Sequence, residues 1–256
     1  MNLITQFLFE LQAITNLLWR SIKGLAKKPR YFSDIIVQMD QIGVGSLGIV
    51  VLTGFFTGGV LILQAYPTLA YYGAQSNAGQ GVATALIREL GPVLSALMVA
   101  GRVGSAIAAE LGSMVVSQQI AAMRALGTSP VRKLVTPRLI AMLICLPLLT
   151  IAADLFGLIG GGIVANQLYG LDTNTYVASV RTGTDINALL TGIIKPIFFG
   201  LLIALISCEK GLTTTGGTAG VGVSTTQAVV LSSICVIISD FFLSKLLQSA
   251  LESTLF

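Results

Sequence analysis

The stretch RELGPVLSALMVAGRVGSAIAAELG, residues 88 to 112, is apolar enough to lie in a bilayer, yet it carries Arg88, Glu89, Arg102 and Glu110. An ionic side chain at the bilayer centre costs on the order of 3 kcal/mol on insertion scales, so such groups face a protein interior or a water-filled cavity. Ion pairing, proton transfer and recognition of a charged headgroup are the chemistries open to them. Arg88 and Glu89 lie near one end of the stretch and suit an outward-facing cavity. Arg102 and Glu110 stand about 80° apart around a helical wheel and suit bridges to neighbouring helices. Interhelical pairing or snorkelling is the plain structural alternative for all four. Asp154 and Asp240 are two more carboxylates inside apolar runs. They suit either a proton relay or a structural role, and neither has an evident titrating partner in the sequence.

Composition removes several other chemistries. The chain has no histidine, so the usual general base for Ser-His or Cys-His catalysis is missing. Cys145, Cys208 and Cys235 each sit in an apolar run without a second cysteine nearby. They read as small packing residues rather than disulfides or zinc ligands. The glycine-rich loop EKGLTTTGGTAGVGVSTTQ tempts a phosphate-binding reading, but no GxxxxGK[ST] occurs in the chain, so ATP hydrolysis is not expected of it. No cofactor is called for.

The elements that must position these charges are membrane helices. Hydrophobic residues make up 54% of the 256 and charged residues 10%, with a mean hydropathy of +0.86. That balance belongs to an integral membrane protein. The net charge of +4 is small and its cations flank apolar runs, which argues against a nucleic-acid partner. The fold expected is all-α, one transmembrane domain over 1–256, with an interfacial segment over 1–40 and a five-span bundle over 41–256. Spans are placed at about 44–65, 82–110, 139–167, 189–207 and 228–247, each near the ~20 residues a bilayer requires. In the N-terminal segment, Leu3, Phe7, Leu11, Ile14, Leu18, Ile22 and Leu25 share one face and the basic cluster Arg20, Lys23, Lys27, Lys28 and Arg30 follows. This reads as an uncleaved amphipathic helix at an anionic interface, not a signal peptide, whose positive charge would come first.

Residues 113 to 126, SMVVSQQIAAMRAL, are too short and polar to cross. With Val116, Ile120, Met123 and Leu126 on one face, they read as a short amphipathic helix in a loop. Residues 168 to about 187 read as a polar external segment. The N-terminal segment and the loop over 111–138 carry most of the cations, whereas the opposite loops carry only Arg181. The positive-inside rule then puts the N-terminus in the cytoplasm and the C-terminus outside. A first helix that crosses would move the N-terminus outside. Small residues at Ala100, Gly104, Ala108 and Gly112, and at Gly54 and Gly58, allow close helix approach.

The blocks RELGPVLSALMVAGRVGSAIAAELGSM, QQIAAMRALGTSPVRKLVTPR and GGTAGVGVSTTQAVVLSSI, with SDFFLSKLL near the end, resemble the MlaE family of ABC-transporter permeases. The likeness runs from about residue 40 to nearly the end. It implies a permease of the bacterial inner membrane that forms a homodimer, binds a pair of cytoplasmic ABC ATPase subunits, and works with a periplasmic MCE-domain protein to move phospholipid between inner and outer membranes. It implies that the short helix docks on the ATPase, through Gln118, Gln119, Ile120, Met123 and Arg124. It also implies an outward-facing lipid cavity lined by Leu61, Tyr72, Arg88 and Glu89, with Arg88 suited to a phosphate. The competing class is an ion-coupled secondary carrier for a lipid or other amphipathic solute, suggested by Asp154 and Asp240. Such carriers often show two similar halves, and no internal repeat is visible.

Overall fold

In the computed structural model, residues 3–25 and 31–252 are described, and the regular elements among them are all helical. Lys27, Lys28 and Arg30 lie outside the described residues. Five helices are long and apolar enough to cross a membrane: Phe32–Tyr71, Gln75–Val116, Val131–Tyr169, Ile186–Leu212 and Gly217–Ala250. They are called spans one to five. Most run well past the apolar windows that locate them in the sequence. A helix satisfies its own backbone hydrogen bonds, so it continues into polar residues beyond the bilayer without cost. Span one accordingly starts at Phe32 rather than in the forties, and an ion pair of Asp34 with Lys133 ties its start to that of span three.

Contacts between glycines and facing backbones give the order of the bundle. A Cβ on Gly54 would collide with the Ala153 carbonyl, and one on Gly58 with that of Gly157. Spans one and three therefore run parallel and nearly touch. Gly192 abuts Ile87, Gly104 abuts Ile203 and Ser207, and Gly211 abuts Ala108 and Leu111, so spans two and four also run parallel. The direction reverses at every connection. One end of the bundle gathers the N-terminal helix Leu3–Leu25, the connection from span two to three, and the Leu212–Gly217 turn; the opposite end gathers the connections over 72–74 and 170–172.

Two expectations need correction. Residues 113 to 126 are not one helix. Ser113–Val116 finish span two, Gln118 takes a left-handed backbone (φ 60°), and a separate helix covers Gln119–Ala125. The polar sequence 168 to 187 is not a loop either. Asp172 accepts from the Thr175 N–H and caps a helix over Thr173–Gly183, which packs beside the start of span two through Ser179, whose hydroxyl accepts from the Gln80 N–H. Tyr176 anchors it, donating from its hydroxyl to the Leu158 carbonyl on span three at 3.0 Å. Asp185 then caps span four by accepting from the Ala188 N–H.

Spans one, two and three contain wide π-type turns, at Asp40–Val44, Leu86–Leu90, Ala100–Gly104 and Val131–Val135. Such single-turn bulges recur at functional sites. Here two of them present Arg88 with Glu89 and Arg102.

Candidate functional site

The charges of spans two, four and five converge on Lys195. It interrupts the apolar run of span four just before Pro196 and has no exposed surface. Its Nζ donates to Glu89 Oε2 at 2.5 Å, to Ser244 Oγ at 2.7 Å and to the Arg88 carbonyl at 2.8 Å, and lies 2.9 Å from Asp240 Oδ1. Ser244 in turn donates to Glu89 at 3.0 Å. Asp240 and Ser244 stand four residues apart, hence on one face of span five. The π turn at Leu86–Leu90 is the local device that brings Glu89 and the Arg88 carbonyl to the same ammonium.

Next to this buried cluster, Arg88 reaches the break before span four and pairs with Asp185 at 3.0 Å. Partial burial pushes the Asp185 carboxyl up, but the Ala188 N–H and the Arg88 guanidinium outweigh it and hold the group below the ordinary carboxylate range. Arg88, Asp185 and Glu89 keep 41%, 49% and 48% of their side-chain surface exposed, against none for Lys195. The site thus has a dry floor and a wet rim, with cationic and anionic groups both open to a ligand. A zwitterionic or anionic headgroup matches that pattern chemically.

The other intramembrane charges lie elsewhere. Arg102 donates to Ser46 Oγ at 2.9 Å and to the Gln41 carbonyl at 3.4 Å, fastening span two to span one across the gap left by Gly45. Glu110 pairs at 2.7 Å with Arg138, whose side chain is 2% exposed. Asp154 is buried against Gly91 of span two, and its Oδ1 finds no hydrogen-bond partner among the described residues. Asp240 is corrected: it has a partner, Lys195, and belongs to the site. Of the residues assigned to the cavity from the resemblance, Arg88 and Glu89 come together. Leu61 instead packs on the apolar cluster around Leu86 and Tyr176, and Tyr72 lies exposed at the end of span one, edge-on to Tyr71.

Lys195, Asp185, Arg138 and Ser244 were missed by the sequence reading. Lys195 had a signal, since a lone cation in an apolar span is a site candidate by rule. Asp185 had none, because it read as a loop residue.

A second exposed feature stands at the other end of the bundle. In the helix Gln119–Ala125, Ile120 is buried and Met123 half-buried, whereas Gln118, Gln119 and Arg124 are exposed and Leu126 beyond them is 83% exposed. Ile120 thus roots the helix and the other residues form a projecting surface.

The sequence profile described as Permease MlaE matches residues 35–246. A probable ABC transporter permease protein of Rickettsia typhi is 40% identical over 227 residues, covering 89% of this chain and 88% of its own. The intermembrane phospholipid transport system permease protein MlaE of Haemophilus influenzae is 34% identical over 235 residues, covering 91% and 90%. The chloroplastic protein TRIGALACTOSYLDIACYLGLYCEROL 1 of Arabidopsis thaliana is 39% identical over 215 residues, 84% of this chain and 61% of the plant protein.

Proposed function

Because this chain belongs to the MlaE family of ABC transporter permeases, we propose that it moves phospholipid between the inner and outer membranes of a bacterium, driven by ATP hydrolysis in separate cytoplasmic subunits. The observation that carries the substrate is the cluster of Arg88, Glu89, Lys195, Asp185 and Asp240, set within or beside the membrane spans with three of its charges half-exposed. A phosphate pairs with Arg88, and the excess of carboxylate accepts an ammonium headgroup; both gain from the low dielectric around them.

The projecting helix Gln119–Ala125 is the ATPase contact. Its exposed Gln118, Gln119 and Arg124, with Met123 at the edge, meet the engine, and Ile120 transmits the movement into the bundle. This assigns the basic end to the cytoplasm and the Arg88 end to the periplasm, where an MCE-domain protein passes lipid onward. Span five, largely exposed along its length, meets a second copy of the chain.

The test is mass spectrometry of phospholipid co-purifying with the assembled complex, together with ATP-dependent lipid transfer. Arg88→Gln and Glu89→Gln are expected to reduce both, and unchanged lipid occupancy and transfer in the two variants would overturn the site. Met123→Glu is expected to abolish co-purification of the ATPase while the permease itself stays folded; retained binding would remove the docking assignment. The buried Asp154, whose Oδ1 has no hydrogen-bond partner among the described residues, favours a second reading, an ion-coupled carrier. Lipid uptake driven by a proton gradient without ATPase, and lost in Asp154→Asn, would establish it.

A further inference from the structure

Arg181 is the only cation in the segments 72–81 and 168–187, and the cluster around Lys195 makes no use of it. Its helix, Thr173–Gly183, descends beside the start of span two. The Tyr176 carbonyl abuts Gly79, the Ser179 hydroxyl accepts from the Gln80 N–H, and the Gly183 carbonyl accepts from the Thr84 hydroxyl at 3.4 Å. Tyr66 and Tyr169, stacked at 4.1 Å near the ends of spans one and three, mark the level of an interfacial belt. Tyr176 bonds to the Leu158 carbonyl, which lies about 16 Å below Tyr169 by helix rise. The helix therefore reaches into the bilayer's outer half. Between it and span three lies a groove of about 420 Å³, walled by Leu155, Ile159, Ile163 and Val177, with Tyr176 and Arg181 also lining it. Gly162 lets the Tyr176 ring lie against span three, since a Cβ there would stand 3.0 Å from Tyr176 Cε1. Leu155, Ile159 and Ile163 are half-exposed and repeat every four residues, as a lipid-facing strip does. Arg181 is exposed, and its guanidinium has no hydrogen bond or ion pair among the described residues. Asp185, the nearest acid along the chain, is engaged by Arg88, and Asp172 accepts from the Thr175 N–H at the far end of the helix.

We infer that this groove docks a phospholipid of the outer leaflet, with an acyl chain on the span-three strip and the phosphodiester on Arg181, as the station through which lipid passes between the bilayer and the Arg88 rim. The inference rests on the reading of this chain as a phospholipid permease with its Arg88 end outward. The chemistry of the groove selects the occupant. A soluble anion would leave the apolar walls in contact with water, and an apolar partner helix would leave the guanidinium without a counter-charge in a lipid setting. A phospholipid satisfies both, because its phosphate accepts from the guanidinium fork while its tail covers the aliphatic strip. The route inward is short. Arg181 stands four residues before Asp185, which pairs with Arg88 at 3.0 Å, and the segment Thr182–Thr184 between them is free of apolar side chains. A phosphate that moves from Arg181 to Arg88 replaces Asp185 there and exchanges one planar guanidinium for another.

The test is photolabelling of the assembled complex in nanodiscs with a phosphatidylethanolamine that carries a diazirine in one acyl chain, the labelled residues being mapped by mass spectrometry. Labelling is expected at Leu155, Ile159, Ile163 and Val177. Arg181→Gln is expected to lower it roughly fivefold, and Arg181→Lys to keep most of it. Ile159→Trp, which fills the groove and leaves the charge in place, is expected to lower it as well. A diacylglycerol with the same diazirine chain lacks the phosphate and is expected to label the groove weakly. Equal labelling by the two probes in the unaltered protein would reduce the groove to ordinary annular contact and overturn the inference without any variant. Labelling that is present in the permease with its ATPase and lost in the full assembly would give the groove to a partner's helix and overturn it too. The label is read without ATP. Loss of the groove signal with lipid still held at Arg88 and Glu89 therefore removes the station alone, and the reverse removes the cargo site alone.

Discussion

Lys195 is a fully buried cation whose ion-pair partners come from two other spans, Glu89 at 2.5 Å and Asp240 at 2.9 Å. Removing one member of a buried ion network leaves the others uncompensated and costs about 3–5 kcal/mol, whereas replacing all of them by neutral groups of similar volume is close to neutral. Lys195→Met is therefore expected to lower the unfolding midpoint in detergent markedly, and Lys195→Met/Glu89→Gln/Asp240→Asn to recover most of the loss while abolishing lipid transfer. A triple variant as unstable as the single one would show that the charges are not what the bundle depends on. Asp185 makes a pH prediction. Its pKa is depressed in the folded state, so the contact with Arg88 is intact at neutral pH and is lost only as pH falls through that lowered value. Selective carboxyl labelling should show Asp185 titrating below the ordinary carboxylate range, and Arg88→Gln should move its titration upward; an unmoved titration would contradict the pair. At this scale the sequence made Arg88, Glu89, Arg102 and Glu110 visible because charge in an apolar run is conspicuous. Their partners were invisible, since pairing across spans depends on helix rotation that spacing alone does not fix.

Spans one and three owe their contact to small residues stacked at the same level on both helices. At Gly58 a side chain would strike the Gly157 carbonyl, and at Gly160 it would strike that of Phe55. Backbone cannot move aside as a flexible side chain can, so Gly58→Leu is expected to destabilise the bundle by about 1–3 kcal/mol or more, as overpacked interiors do. The check is thermal unfolding beside Gly48→Leu, whose site has nothing within 4 Å; equal effects at both positions would dismiss the close contact. The Gly54 and Gly58 strip was legible from its four-residue period, though not its partner span. The helix Thr173–Gly183 was not legible. Tyr176, Val177 and Val180 give it only a narrow apolar face, and its other residues are mostly polar, so tertiary contacts to Gly79, Gln80 and Leu158 decide its structure. The π turns were equally hidden, because an i→i+5 bond leaves no compositional mark. Gln118 ends span two by a backbone angle that a glutamine seldom adopts, and this is why the short helix starts later than its apolar spacing suggested.

In the whole molecule, the five spans and the all-α class were readable because a bilayer admits so few backbone solutions that hydropathy nearly determines them. Span five is the exception to the close packing of the bundle. Ile234, Ile237, Ile238, Phe241 and Phe242 are all exposed on it, next to the Asp240 and Ser244 that complete the site. A second copy placed there would cover the half-exposed Arg88 and Glu89. Ile237→Cys in a Cys235→Ser background is expected to cross-link two chains in native membranes, and recovery of monomer alone would contradict that arrangement. Whether this chain holds a lipid path powered by another protein is decided by reconstituting the permease with and without its ATPase in liposomes and following labelled phospholipid. ATP-dependent lipid movement is expected from the complex, none from the isolated chain, and loss in Glu89→Gln. Undiminished movement by the isolated chain, without nucleotide, would contradict it.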